Sequence, residues 1–219
     1  MKIEHEELFK AALSSGLNLF LGAGFSVCAR NHSGATLPLG AELAKMLCKE
    51  FGLPDYYRDN LPNAARKIKA NREVDLKAFF TKCYTVASWD ARYRFLSHPS
   101  FSTVITINID DLIEKVWNDE KIYFSDAEIT GILDGASRAI YKLHGSVTYP
   151  ISSKMLFSLQ ELTGEMMRDS SFFKAAQIKL FSRPTLVWGA RLTDGNIVDL
   201  FNRMLKISRT GCELTEIVV

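Results

Sequence analysis

Short apolar runs, each ending in glycine or polar residues, recur along the chain. Leu17 to Leu21, Ser102 to Ile107, Ala139 to Leu143 and Thr185 to Trp188 show little alternation between polar and apolar positions. Strands buried on both faces of a parallel sheet have this pattern. These runs therefore predict parallel strands, and the β-branched run Ser102 to Ile107 is the clearest. The C-terminal segment Glu213 to Val219, which ends in the apolar run Ile217-Val218-Val219, predicts a final strand.

Segments with helical spacing separate these strands. They are Glu6 to Ser15, Ala41 to Phe51, two or three helices between Asn63 and Ser97, Leu112 to Asn118, Leu159 to Arg168, Ser171 to Phe181, and a helix opened by Thr193 and Asp194 that runs through Met204. The alternation predicts an α/β fold, a Rossmann-like parallel sheet flanked by helices. We expect one domain over residues 1–219. A small helical lobe, about residues 55–98, is inserted after the glycine-rich turn, with a core of Phe79, Phe80, Tyr84, Trp89, Tyr93 and Phe95.

Composition and charge indicate which classes of partner the chain is not expected to bind. The chain of 219 residues is 47% hydrophobic, and its net charge of +2 comes without a dense Lys/Arg stripe, so we expect no direct nucleic-acid binding. No apolar run has the length that spans a bilayer, and the acidic N-terminus is unlike a signal peptide, so we expect a cytoplasmic protein without a membrane contact. The 4 cysteines form no C-x-x-C pair, which predicts no metal site. The apolar C-terminus leaves open that the chain is the N-terminal part of a longer protein.

The first strand ends in a glycine turn, Gly22-Ala23-Gly24-Phe25-Ser26. Backbone N–H groups at such a turn, with a helix N-terminus, can hold a diphosphate. The alternative is a tight turn that needs glycine for its backbone conformation. Ser26 could cap a helix that follows.

Polar residues follow two other strands. Asn108 can hold a ribose hydroxyl or a water, and Asp110 can accept hydrogen bonds from a carboxamide. The alternative is that Asn108 closes a turn and Asp110 caps the next helix, and both roles are compatible for Asp110. His144, in Lys142-Leu143-His144-Gly145-Ser146, can accept a proton near neutral pH, although a buried histidine can also be satisfied by hydrogen bonds in the core.

A further segment, Gly189 to Asp194, follows the strand Thr185 to Trp188. It predicts either the adenosine end of a cleft or a plain strand-to-helix turn. Because ligands of open parallel sheets bind at the carboxyl ends of the strands, we expect all these segments to form one site.

The segments G-A-G-F-S, T-I-N-I-D and K-L-H-G-S, in this order, resemble the signature segments of the sirtuin family, and most closely the bacterial sirtuin-like domains of anti-phage systems. The segment W-G-A-R-L-T-D-G-N-I is similar to a further element of those domains, with Arg191 where serine is usual. Protein-deacylating sirtuins mostly carry a four-cysteine zinc module and a G-I-P-D-F-R segment. This chain has neither, which weakens a deacylase reading.

The resemblance implies an NAD site. Gly22, Ala23, Gly24 and Ser26, with the turn residue Phe25, would lie along the diphosphate and ribose, and Gly189 with Asp194 would lie at the adenosine. Asp110 would hold the nicotinamide carboxamide. Asn108 would position the nicotinamide ribose or the attacking water, and His144 would act as the general base.

We therefore predict an NAD glycohydrolase that releases nicotinamide and ADP-ribose, with NAD as substrate, no metal, and a role in anti-phage defence. Such an enzyme would need control by homo-oligomerisation or by a regulatory domain or partner. The alternatives are a non-catalytic domain that binds NAD or ADP-ribose, and a protein deacylase. An ordinary Rossmann dehydrogenase is disfavoured because the third glycine of its fingerprint is missing.

Overall fold

A computed structural model describes residues 6–118, 121–129, 138–149, 154–168, 170–191, 195–208 and 217–218. Its strands are β1 (Leu17–Leu21), β2 (Arg30–Asn31), β3 (Val86–Ser88), β4 (Phe101–Thr106), β5 (Lys121–Tyr123), β6 (Ala139–Lys142), β7 (Thr185–Trp188) and β8 (Ile217–Val218). Its α-helices are α1 (Glu6–Ser15), α2 (Gly40–Phe51), α3 (Leu61–Tyr84), α4 (Leu112–Trp117), α5 (Leu159–Met166), α6 (Ser171–Leu180) and α7 (Gly195–Ser208). Short 3₁₀ turns cover Ala23–Ser26, Asp55–Tyr57, Ala91–Ser97 and Asp126–Glu128.

The main sheet has six strands in the order β5-β6-β4-β1-β7-β8, and every pairing in it is parallel. β1 is central and completely buried. All its strands therefore present their carboxyl ends at the same edge, which brings the segments after β1, β4, β6 and β7 together. The predicted α/β fold is confirmed.

The two faces of the sheet carry separate hydrophobic clusters, because side chains alternate along each strand. Leu19 and Leu21 of β1 point into one cluster, which α1 to α4 cover, whereas Phe20 points into the other, which α5 to α7 cover. The layers are thus helix, sheet, helix. The strands are short apolar runs because neither face of the sheet is left to water.

The inserted segment differs in detail from its prediction. Where the sequence predicts two or three helices between Asn63 and Ser97, the structure has α3, whose two helical segments meet at a kink at Arg72, followed by β3 and the 3₁₀ turn Ala91–Ser97. Val86–Ser88 lies within the segment that was predicted to be helical, but it is a strand that pairs antiparallel with β2. The predicted aromatic core is only partly formed, since Phe95 is 50% exposed.

Other predicted elements end close to where the sequence placed them. Gly16 ends α1 with a φ of +93°, a conformation that favours glycine. The predicted residues Glu213 to Glu216 and Val219 lie outside the described residues, which include only Ile217–Val218 of the final strand. Within the described part of the chain, no helix is long and apolar enough to cross a membrane.

Candidate functional site

A pocket of about 210 Å³ opens at the carboxyl edge of the sheet. Its polar wall comes from the segments that follow β1, β4 and β6. Its apolar wall comes mainly from the loop before α2, from α2 and α3, and from the loop before α5. The lining residues are Ala23, Ser26, Leu37, Pro38, Leu39, Gly40, Leu43, Leu61, Tyr84, Ile107, Asn108, Ile109, Asp110, His144 and Phe157. The pocket therefore combines a few directed polar groups with an apolar surround, as small-molecule sites do.

Asn108 ties the end of β4 to the glycine turn. Its side-chain Nδ2 donates to the carbonyl oxygen of Gly22 at 2.9 Å and to Ser26 Oγ at 3.3 Å. Its own backbone N–H donates to Thr106 Oγ1 at 2.9 Å. The amide is 7% exposed, and its Oδ1 accepts no hydrogen bond from the described residues, so this oxygen is available to a ligand.

Asp110 is held in the same network. Ser26 Oγ donates to Asp110 Oδ2 at 2.8 Å, and the Leu112 backbone N–H donates to Oδ1 at 3.1 Å. Burial raises the pKa of Asp110, while the charge of Lys142 and these two hydrogen bonds oppose the rise. Asp110 thus faces the pocket and also supports the start of α4, as both sequence hypotheses allowed. Ser26 does not cap a helix, because its hydroxyl is committed to Asp110 and it ends the 3₁₀ turn.

His144 lines the same pocket as this network. The residue is half-buried, and its ring makes no hydrogen bond to the described residues. Loss of solvation lowers the pKa of His144 to about 4, and the nearby charge of Glu161 offsets this only in part. The imidazole is therefore neutral at pH 7, with a free nitrogen lone pair to accept a proton.

The lowered pKa of His144 makes stability depend on pH. Between pH 6.5, its ordinary pKa, and about 4, the unfolded chain binds a proton that the folded chain does not, so acid favours unfolding. We expect the free energy of unfolding to lose about 2 kcal/mol from this group as the pH falls from 7 to 4.5. Urea unfolding of the wild type and of His144→Gln at both pH values measures this loss in the free energy of unfolding. Equal pH dependence in the two proteins would contradict the assignment.

The glycine turn is packed against the segment after β7. Gly24 N–H donates to the Gly189 carbonyl oxygen at 2.8 Å, and Gly22 N–H donates to the Trp188 carbonyl oxygen at 3.0 Å. A Cβ on Gly24 would lie 2.9 Å from the Gly189 Cα, and one on Gly22 would lie 2.6 Å from the Gly189 oxygen. Close approach of two backbones thus accounts for these glycines. Whether they also lie along a diphosphate stays a prediction.

The predicted site residues divide into four groups. The pocket brings together Ala23, Ser26, Asn108, Asp110 and His144. Gly22, Gly24 and Gly189 do not line it and pack backbone against backbone, and the Phe25 ring packs edge-on against Tyr93 and Trp188. Asp194 lies outside the described residues.

The apolar wall was missed from the sequence. Leu43, Leu61 and Phe157 carry no motif and come from distant segments. Tyr84, which the sequence placed only in the core of the helical lobe, also lines the pocket, and its hydroxyl donates to the Pro38 carbonyl oxygen at 2.8 Å. Burial raises the pKa of Tyr84, so it stays a neutral donor. A helical apolar stripe does not indicate which of its members will border a cavity. Among the described residues, no group of three or more His, Cys, Asp or Glu side chains stands close enough to hold a metal ion.

Comparison with known proteins assigns the family. The SIR2-like domain family matches residues 102–217 of the 219, a span that contains Asn108, Asp110, His144 and Gly189. The chain belongs to the SIR2-like family. This SIR2-like domain is 26% identical over 212 residues to the NAD(+) hydrolase ThsA of Acinetobacter baumannii (strain 532279). The alignment covers 93% of this chain and 42% of that protein, so the chain spans less than half the length of its relative. The sequence resemblance to sirtuins is confirmed.

Proposed function

We propose that this SIR2-like domain is an NAD hydrolase that cleaves the bond between nicotinamide and ribose. The observation that carries the proposal is the meeting of Asn108, Asp110 and His144 in one pocket at the carboxyl edge of the sheet. The family and the NAD(+) hydrolase to which the chain is similar support it.

The pocket has the groups that this reaction needs. The Asp110 carboxylate accepts from the carboxamide N–H₂ of nicotinamide, and the apolar wall surrounds the pyridinium ring. The Asn108 Oδ1 accepts from a ribose hydroxyl or from the attacking water. These contacts hold the glycosidic bond in one orientation and keep bulk water away from it.

His144 supplies the base. The transition state of glycosidic cleavage resembles an oxocarbenium ion, which is a strong electrophile. The attacking water therefore needs orientation more than early deprotonation, and a neutral imidazole of low pKa can accept its proton late in the step. Nicotinamide leaves as a neutral molecule, and water becomes the hydroxyl of ADP-ribose.

Product analysis distinguishes this enzyme from its alternatives. We expect the purified chain, incubated with NAD alone, to release nicotinamide and ADP-ribose in equal amounts, as quantified by liquid chromatography. A domain that only binds NAD or ADP-ribose releases no nicotinamide. A deacylase releases nicotinamide only when an acyl-lysine peptide is added, so that dependence would contradict the proposal.

The wider role follows from the chemistry. An enzyme that depletes cytoplasmic NAD is harmful unless it is restrained, so we propose control by self-association or by a regulatory domain or partner. The resemblance of G-A-G-F-S and K-L-H-G-S to anti-phage domains makes defence against phage the proposed setting. Size-exclusion chromatography that showed a fully active monomer would count against control by oligomerisation.

A further inference from the structure

A buried ion pair contacts the backbone of Asp110, one of the residues that line the pocket. Lys142, the last residue of β6, is 0% exposed, and its Nζ lies 2.5 Å from Oε1 of Glu114, which is 8% exposed. The same Nζ donates to the backbone carbonyl oxygen of Asp110. Neither Lys142 nor Glu114 lines the pocket, so they contact no ligand there.

The pair is costly for the fold. Removing both charges from water carries a large desolvation penalty, and replacing such pairs by apolar residues is often neutral or stabilising. Glu114 Oε2 is buried and has no hydrogen-bond partner among the described residues, so the carboxylate is only half satisfied. Burial raises the pKa of Glu114, and the charge and hydrogen bond of Lys142 are the largest effects that oppose this rise. Stability alone therefore does not explain why the charges are present.

The pair joins the two segments that carry the chemistry. Lys142 stands two residues before His144, and Glu114 stands four residues after Asp110. Two backbone hydrogen bonds run between the same segments, from Leu143 N–H to the Thr106 oxygen at 2.8 Å and from Val147 N–H to the Ile109 oxygen at 2.9 Å. Of these three contacts, only the one from the Lys142 ammonium is made to Asp110 itself. It also brings a positive charge close to the Asp110 carboxylate.

We propose that Lys142 and Glu114 are positioning residues for the nicotinamide end of the site. Lys142 fixes the backbone of Asp110 and its positive charge favours the ionised form of the carboxylate, and Glu114 holds the ammonium in place. This inference rests on the proposed function, because Asp110 is the acceptor for the nicotinamide carboxamide. It predicts a selective defect: a ligand with nicotinamide is affected and a ligand without it is not.

The test compares two ligands in the His144→Ala background, in which turnover is expected to be at least about 100-fold slower. We expect Lys142→Met/Glu114→Leu to bind NAD about tenfold more weakly than its parent, the loss of roughly one charge-assisted contact, and to bind ADP-ribose as the parent does. Isothermal titration calorimetry measures both. Thermal unfolding of Lys142→Met alone should show a large loss of Tm that the double variant recovers, because the single change leaves Glu114 buried without a counter-charge.

The controls separate the ways in which this can fail. Lys10→Ala/Glu6→Ala removes an exposed ion pair and should change neither affinity. If the double variant does not recover its Tm, the isosteric variant Glu114→Gln is used instead. It should bind NAD more weakly than its parent, by a smaller factor than the double variant, and bind ADP-ribose as the parent does. A double variant that binds NAD as tightly as its parent, or that loses both ligands equally, overturns the positioning role. A parent that binds neither ligand overturns the proposed function itself.

Discussion

Replacing His144 with alanine is expected to lower the rate of NAD hydrolysis by at least about 100-fold, the usual contribution of a general base, while the protein stays folded. The ring makes no hydrogen bond to the described residues and is half-buried, so its removal leaves no buried partner unsatisfied. The measurement is nicotinamide release at saturating NAD, with circular dichroism to check the fold.

His32→Ala is the matched control, because His32 is exposed and does not line the pocket. It should hydrolyse NAD at the wild-type rate. Asn108→Ala should also abolish NAD loss, although it removes the donor to the Gly22 oxygen and is expected to cost about 1 kcal/mol of stability as well. Wild-type turnover by either His144→Ala or Asn108→Ala would remove that residue from the mechanism.

Gly189→Ala is expected to be the most destabilising single change in the site, at roughly 3–5 kcal/mol. Gly189 has a φ of +74°, and a Cβ there would lie 2.0 Å from the Phe25 nitrogen and 2.6 Å from the Gly24 carbonyl carbon. Both contacts are with backbone, which cannot move aside without opening the glycine turn. Urea unfolding of the purified variant measures the loss, and failure to obtain folded protein would be the extreme of the same result.

Gly34→Ala separates the two causes of that loss. Gly34 has a similar φ of +79°, but a Cβ there would meet nothing within 4 Å. Its substitution should therefore cost only the backbone conformation, about 1 kcal/mol. If Gly189→Ala were no more destabilising than Gly34→Ala, the close packing of the glycine turn against the segment after β7 would be contradicted.

The strands that the sequence predicted best are those in which both faces are buried. β1, β4, β6 and β7 begin and end within a residue or so of their predicted bounds, because a run of apolar residues has no other favourable place. The strands Lys121–Tyr123 and Arg30–Asn31 were missed, since they are too short for any pattern to repeat. The bend at Arg72 in α3 could not be predicted, because no proline or glycine lies within the helix near it.

The site, like the fold, has parts that the sequence predicts and parts that it does not. Ser26, Asn108, Asp110 and His144 were predictable because each follows a strand, and parallel strands end at one edge. The buried ion pair was not, since Lys142 and Glu114 come together only because β6 pairs with β4, and that order is a long-range property of the sheet. The sequence shows that Gly22 and Gly189 are glycines at the ends of strands, but it does not show that their backbones contact each other.

The structure of the His144→Ala variant with NAD tests the central claim most directly, because the substitution slows turnover and leaves the rest of the pocket unchanged. The account predicts that the nicotinamide ring lies in the pocket between Leu43 and Asn108, with its carboxamide nitrogen within hydrogen-bond distance of Asp110 and its ribose C1′ facing position 144. NAD bound with its nicotinamide outside this pocket would contradict the account.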